Sequence, residues 1–232
     1  MKSSENSKYK LLLICGILAP IIMGVIIIVV GQLTPDYNQI TDSISLMGTQ
    51  DRPYAWLLHG GYYFYSILMG IAAYGLSRTI GPTPRANGLA ILLCIHAFGM
   101  TLLAIFPDSV NSTAMHIIHD VMSATSYLPL LIGIYISRKI AQDEIALKVA
   151  GITGIFIIII NLPMPVINIV NPLSLIGGLL QRILSGCSFL WLSLTFLLLY
   201  KKQCSIECPA KSMTVSYSVT VKEHLLLDQP RR

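Results

Sequence analysis

Charge is what this chain has least of. Asp, Glu, Lys and Arg together make up 12% of its 232 residues, against roughly 25% in soluble domains, and that scarcity excludes a globular protein with an ordinary solvated surface. Polar segments long enough to fold alone are missing too. The polar carboxy-terminal stretch 201–232 is too short to bury a core of its own and is predicted to be a disordered tail. No cysteine lies in a segment assigned to the outside: Cys15, Cys94 and Cys187 sit in apolar runs, and Cys204 and Cys208 follow the last one as ordinary tail thiols. A disulfide framework is therefore not implied. The first apolar run lacks the marks of a cleaved leader, being longer than a signal core and without small residues around Cys15. Basic residues form no stripe. The net charge of +5 is distributed in short runs between apolar segments, which gives topology signals and no nucleic-acid partner.

What is abundant is apolar sequence, at 54% hydrophobic residues and a mean hydropathy of +0.68. Six uncharged or nearly uncharged runs are long enough to cross a hydrocarbon core of about 30 Å at 1.5 Å per residue: Leu11 to Gly31, Ala55 to Leu76, Ala86 to Phe106, His116 to about Ser137, Val149 to about Val170, and Gly178 to Tyr200. The predicted fold is an all-α integral membrane six-helix bundle spanning 11–200, preceded by a short polar segment 1–10. The amino-terminal segment, the second and fourth connections and the tail hold 14 of the 16 Lys and Arg residues, leaving Arg52 and Arg182 on the other side. The positive-inside rule then makes both termini cytoplasmic, and the membrane in question the plasma membrane.

Gly16, Gly24 and Gly31 recur at about two-turn spacing in the first run, which lets a neighbouring helix come close. The fifth run is interrupted by Asn161, Pro163, Pro165, Asn168, Asn171 and Pro172. Prolines at membrane depth free carbonyls that need a partner or a wet cavity.

With the orientation set, polar residues gather in the outer half. His116, His119, Asp120, Ser123 and Tyr127 follow helical spacing on the fourth run, as do His59, Tyr63 and Ser66 on the second and Gln181, Ser185 and Ser188 on the sixth. The long outer stretch Leu33 to Trp56 adds Asp42, Ser43 and Ser45, which suit either a site or the cap of a short interfacial helix. Asp36, Asp51 and Asp108 read as solvated loop acids, and His96, alone near mid-membrane, as a neutral histidine hydrogen-bonded across helices. Arg182 is expected within ion-pair reach of an acid, Asp120 first and Asp42 second. His116, His119 and Asp120 are expected to point into the bundle toward His59 and the Asp42 loop.

The order of these features resembles a prokaryotic membrane family known as domain of unknown function 998. The resemblance covers roughly Leu11 to Tyr200, and its most specific pieces are Asp42-Ser43-Ile44-Ser45 with Gly48, Phe106-Pro107-Asp108, and His116. It implies a six-span membrane protein and carries no activity from which catalytic residues could be transferred.

Three functions compete at this point. In the first, an outward-facing polar pocket built from Asp42, Ser45, His59, His116, His119, Asp120 and Arg182 binds or senses a lipid headgroup or small amphiphile. The second is a membrane-embedded metal hydrolase of the ceramidase-like CREST type, with His59, His116, His119 and Asp120 as candidate zinc ligands, although that superfamily's carboxy-terminal histidine motif is missing. The third is a bis-histidine haem protein using His59 with His116 or His119. Cofactor content and oligomeric state are left open by the sequence.

Overall fold

A computed structural model of the chain describes residues 2–81, 83–109, 111–140 and 176–207. Among these residues the protein is all-α: α1 Lys2–Leu33, α2 Ala55–Ile80, α3 Pro84–Ile105, α4 Thr113–Ile140 and α5 Gly177–Glu207, with a single 3-10 turn at Ser45–Gly48. Helix α1 takes in most of the short polar amino-terminal segment 1–10, and α5 continues into the first residues of the predicted tail. The interrupted fifth run with its asparagines and prolines lies outside the described residues, as does the rest of the tail with Cys208.

Three helices are long and apolar enough to cross a membrane on their own composition: Tyr9–Leu33, Pro84–Ile105 and Gly177–Cys204. Helices α2 and α4 match them in length at 26 and 28 residues but carry the histidines, serines and tyrosines already noted. Sequence neighbours pack side by side, α1 on α2, α2 on α3 and α3 on α4, while α1 also packs on α5. A hydrogen bond of 3.0 Å between Tyr127 on α4 and Ser185 on α5 joins the two ends of that row.

Small residues set the spacing. A Cβ on Gly16 would fall 2.4 Å from the Phe196 ring, and one on Gly75 would lie 2.6 Å from Leu12 Cβ, so α1 meets α5 and α2 only because these side chains are missing. Gly24 likewise faces Phe189 of α5, whereas Gly31 meets Gln39 and Met47 of the following loop and not a helix. The resulting core centres on Tyr65, Trp191 and Phe196, with Met23, Leu58, Met69 and Leu76 around them.

At mid-bundle, His96 of α3 bridges two neighbours. Its Nδ1 faces the Ser126 carbonyl of α4, which can only accept, so Nδ1 carries the proton and Nε2 accepts from the Tyr65 hydroxyl of α2 at 2.8 Å. The expected neutral, cross-helix histidine is what the fold contains.

The two ends of the bundle differ in kind. One gathers the start of α1, the end of α2, the start of α3 and the end of α5, where Tyr9 stacks edge-on with Tyr74 and Gln203 reaches the Thr79 carbonyl at 3.4 Å. Here lie Lys10, Arg78, Arg85, Lys201 and Lys202. The other end carries loop 34–54, the turn between α3 and α4 and the start of α5, and it holds the polar cluster described next.

Candidate functional site

Loop 34–54 begins where Thr34 closes α1 by donating both N–H and hydroxyl to the Val30 carbonyl, at 3.0 and 2.7 Å. Asp36 then takes a φ of 52°, a left-handed conformation that Asp tolerates better than most residues and that reverses the chain. Arg52 ties the far end of the loop back to the Pro35 carbonyl at 2.9 Å. The loop is thus a closed strap.

Its middle is fastened to α5. The first N–H groups of a helix have no partner within the helix, and here Gly178 and Leu179 donate to the Thr41 and Ile40 carbonyls at 3.2 and 2.9 Å. A Cβ at Gly178 would sit 2.2 Å from the Asp42 carbonyl oxygen, so only glycine allows the approach. Gln181 accepts from the Ile44 N–H at 2.6 Å. Arg182 completes the junction, donating from Nη1 to the carbonyls of Asp42 at 3.0 Å and Gly178 at 2.9 Å, from Nη2 to the Tyr37 hydroxyl, and lying over the Tyr37 ring. Burial pushes the Tyr37 phenol up, against the pull of Arg182. It stays neutral and donates to the Asp42 and Ser43 carbonyls at 3.1 and 2.9 Å.

This corrects the expected role of Arg182. It meets Asp42 through a main-chain carbonyl, and Asp120 is instead near His116, with Nε2 to Oδ2 at 3.7 Å. A guanidinium fork offers five donors, so carbonyl oxygens and a phenol can occupy it without a carboxylate. Asp42 itself folds the loop, its two carboxylate oxygens accepting from the Asn38 N–H and the Thr41 hydroxyl, both at 2.9 Å. The 3-10 turn takes its side-chain acceptor from Ser43, whose Oγ lies 3.3 Å from the Leu46 N–H.

On the other side the strap reaches α2 and the α3–α4 turn. His59 donates from Nε2 to the Gly48 carbonyl at 2.8 Å, which leaves its buried Nδ1 lone pair without a hydrogen-bond partner. Ser45 pairs with Ser43 at 2.9 Å. Asp108 Oδ1 accepts from the Ser109 N–H at 2.8 Å and from His116 Nδ1 at 2.7 Å. Burial pushes the Asp108 carboxyl up, but His116, with a smaller contribution from Ser45, outweighs it and holds the carboxyl below its usual value.

Asp108 is therefore no solvated loop acid, with 13% of its side chain exposed, and it is the residue that sequence reasoning missed. The signal was present in the Phe106-Pro107-Asp108 turn, but a lone acid at a helix end gives no hint that a histidine of the following helix will reach back to it. The expected convergence of the fourth-run stripe is realised only in part. His119 is 8% exposed and donates from Nδ1 to the Phe106 carbonyl at 2.9 Å, capping α3. The side chains of His116 and Asp120 are 54% and 65% exposed. Helical spacing put the three on one face, but the edge of that face lies outside the α3–α4 contact.

Among the described residues no three His, Cys, Asp or Glu side chains form a group that could hold a metal ion. The candidate ligands have separate engagements, His59 on Gly48, His119 on Phe106, and His116 between Asp108 and Asp120. Each of the bonds of His59 and His119 occupies one ring nitrogen, Nε2 in the first and Nδ1 in the second.

Between the strap and the α3–α4 turn a cleft of about 290 Å³ opens, lined by Thr49, Gln50, Asp51, Asp108, Asn111 and Met115 among others. Asp51 is exposed, and the Thr49 hydroxyl holds its carboxyl low. The cleft presents two ionised acids, two amides and two hydroxyls beside one thioether.

Long apolar helices in this number, with polar side chains turned to one another, define a multi-pass membrane protein. Its family is equally definite: residues 17–198 match the family described as protein of unknown function (DUF998), to which the chain belongs. No curated protein and no solved structure matches it.

Proposed function

We propose that the protein is a six-span plasma-membrane protein with both termini in the cytoplasm, and that its outward-facing cleft binds or senses the headgroup of a lipid or small amphiphile. The observation that carries the reading is the cleft beside Asp108, where a half-enclosed polar space opens beside the loop end of apolar helices. Its lining holds Asp51 and Asp108 and no Lys or Arg, so a positively charged headgroup such as choline or ethanolamine complements it. The 14 to 2 division of Lys and Arg supports the orientation, and hydrophobic runs in the sequence beyond the described helices support the sixth span.

The test is calorimetric titration of the purified protein with short-chain phosphatidylcholine. Saturable binding is expected in the wild type and should vanish in Met115→Trp, which fills the cleft. Absence of saturation in the wild type would sink the reading. In intact cells, cysteines introduced at Asp51 and Ser109 should react with an impermeant maleimide while one at Gln142 stays protected, and the reverse pattern would invert the topology.

A further inference from the structure

Away from the cleft, a second concavity of about 440 Å³ runs along the seam of α2 and α3 toward the basic end. Its floor is made of the small, buried Ala73 and Ala90, and its walls of the exposed Tyr74, Ile91, Ile95 and Phe98. Small residues below and large ones beside make a true furrow in the lipid-facing surface. From Ala90 to Phe98 it is roughly 12 Å long at 1.5 Å per residue, less than the roughly 15 Å depth of one leaflet of a 30 Å core.

The end of the furrow has a definite chemistry. Ser77 and Tyr74 lead toward the end of α2, where Arg78 is exposed, and Arg85 is exposed at the start of α3. Arg78 lies over the ring of Tyr74, a lining residue, with Cζ 5.2 Å from its centroid. Arg85 stands in the first turn of α3, where the helix dipole also favours an anion. Thr83 caps that helix by accepting from the Ala86 N–H at 3.1 Å, and Gly81, at a φ of 91°, ends α2.

We propose that this furrow is a binding site for an anionic phospholipid, one acyl chain lying between Tyr74 and Phe98 and the phosphate held by Arg78 and Arg85. An apolar length that fits within one leaflet, and two guanidinium groups toward the end where a headgroup would stand, distinguish such a lipid from a partner helix, which would need no arginine pair, and from a zwitterionic lipid, whose phosphate is offset by its own cation. The site is separate from the acid-lined cleft at the opposite end and calls for headgroups of opposite charge.

Native mass spectrometry of the full chain released from nanodiscs of equal phosphatidylcholine and phosphatidylglycerol tests it. The wild type should retain phosphatidylglycerol over phosphatidylcholine by about tenfold. Arg78→Gln with Arg85→Gln, two surface changes, should bring that ratio near one, while Ala90→Phe, which raises the floor, should lower retention of both lipids. Because Ala90→Phe also touches packing, the arginine pair decides: a wild type without preference, or a double variant that keeps it, overturns the proposal.

Discussion

In the loop-end cap, close approaches are fixed by main-chain carbonyls, those of Ile40, Thr41 and Asp42 against α5 and that of Gly48 against His59. In the bundle interior they are fixed by missing side chains, at Gly16, Gly75 and Gly99, the last of which would place a Cβ 2.6 Å from Ser126 Cα. The difference follows from the solvent each region replaces. Lipid tails are as apolar as a helix face, so helices gain little by hiding apolar surface from them and must gain from close contact. A polar strap next to water gains little from contact alone and depends on directional bonds, of which charged ones count for most. The cap should therefore respond to charge and pH, and the interior to volume.

The largest expected effect belongs to the cap. Arg182→Gln removes the donors shared by Asp42, Gly178 and Tyr37, and loss of charged hydrogen bonds of this kind costs about 1.5–3 kcal/mol. Thermal unfolding in detergent should fall accordingly, and hydrogen exchange should accelerate in loop 34–54 while mid-bundle helices stay protected. Uniform acceleration would erase the distinction between the two regions. Next comes Gly99→Ala, which drives a methyl into the Ser126 backbone and should cost about 1–3 kcal/mol as overpacking. Here exchange should rise along α3 and α4 and the strap should be spared.

Tyr65→Phe sharpens the comparison by removing one neutral bond from the interior, the hydroxyl that donates to His96. Such interhelical bonds average about 0.6 kcal/mol in membranes, so the melting temperature should shift only slightly, and a loss as large as that of Arg182→Gln would show that the interior also relies on polar bonds. The smallest effect is that of pH. Asp108 has a depressed carboxyl, so its contribution is complete above the ordinary carboxylate value of 3.8 and is lost as pH falls through the lower folded value. Protease nicking of the strap should increase only below about pH 4, and Asp108→Asn should abolish that dependence.

How much of this was legible in the sequence divides along the same line. Helix positions were, since Ala55, Gly177 and Pro84 begin helices within two residues of where apolar runs begin, and periodic apolarity is a local property. So was the role of His96, because a lone imidazole among aliphatic neighbours has few options. The cap was not. Gln181 with the Ile44 N–H, and Arg182 with the Asp42 carbonyl, are contacts between distant segments, and the second is made to a main-chain atom that every residue possesses. No side-chain pattern encodes such an acceptor. The stripe on α4 failed for a related reason: spacing shows which residues share a face, and only the neighbours' positions show where the face ends, which is why His119 is enclosed while His116 and Asp120 stand at the rim.

The fastening of the strap to α5 also sets an order of events during synthesis. The carbonyls of Ile40 and Thr41 and the N–H of Ile44 wait for partners at Gly178, Leu179 and Gln181, the last of them 137 residues further on. At roughly 5–20 residues per second, the ribosome needs about 7 to 27 seconds to supply them, during which helices α1 to α4 can already lie side by side. The strap is consequently a closing latch, set only when the last described helix arrives. A chain halted before Gly177 would present an open loop with its polar backbone unclaimed, a distinctive surface by which quality-control proteases could tell unfinished copies from finished ones.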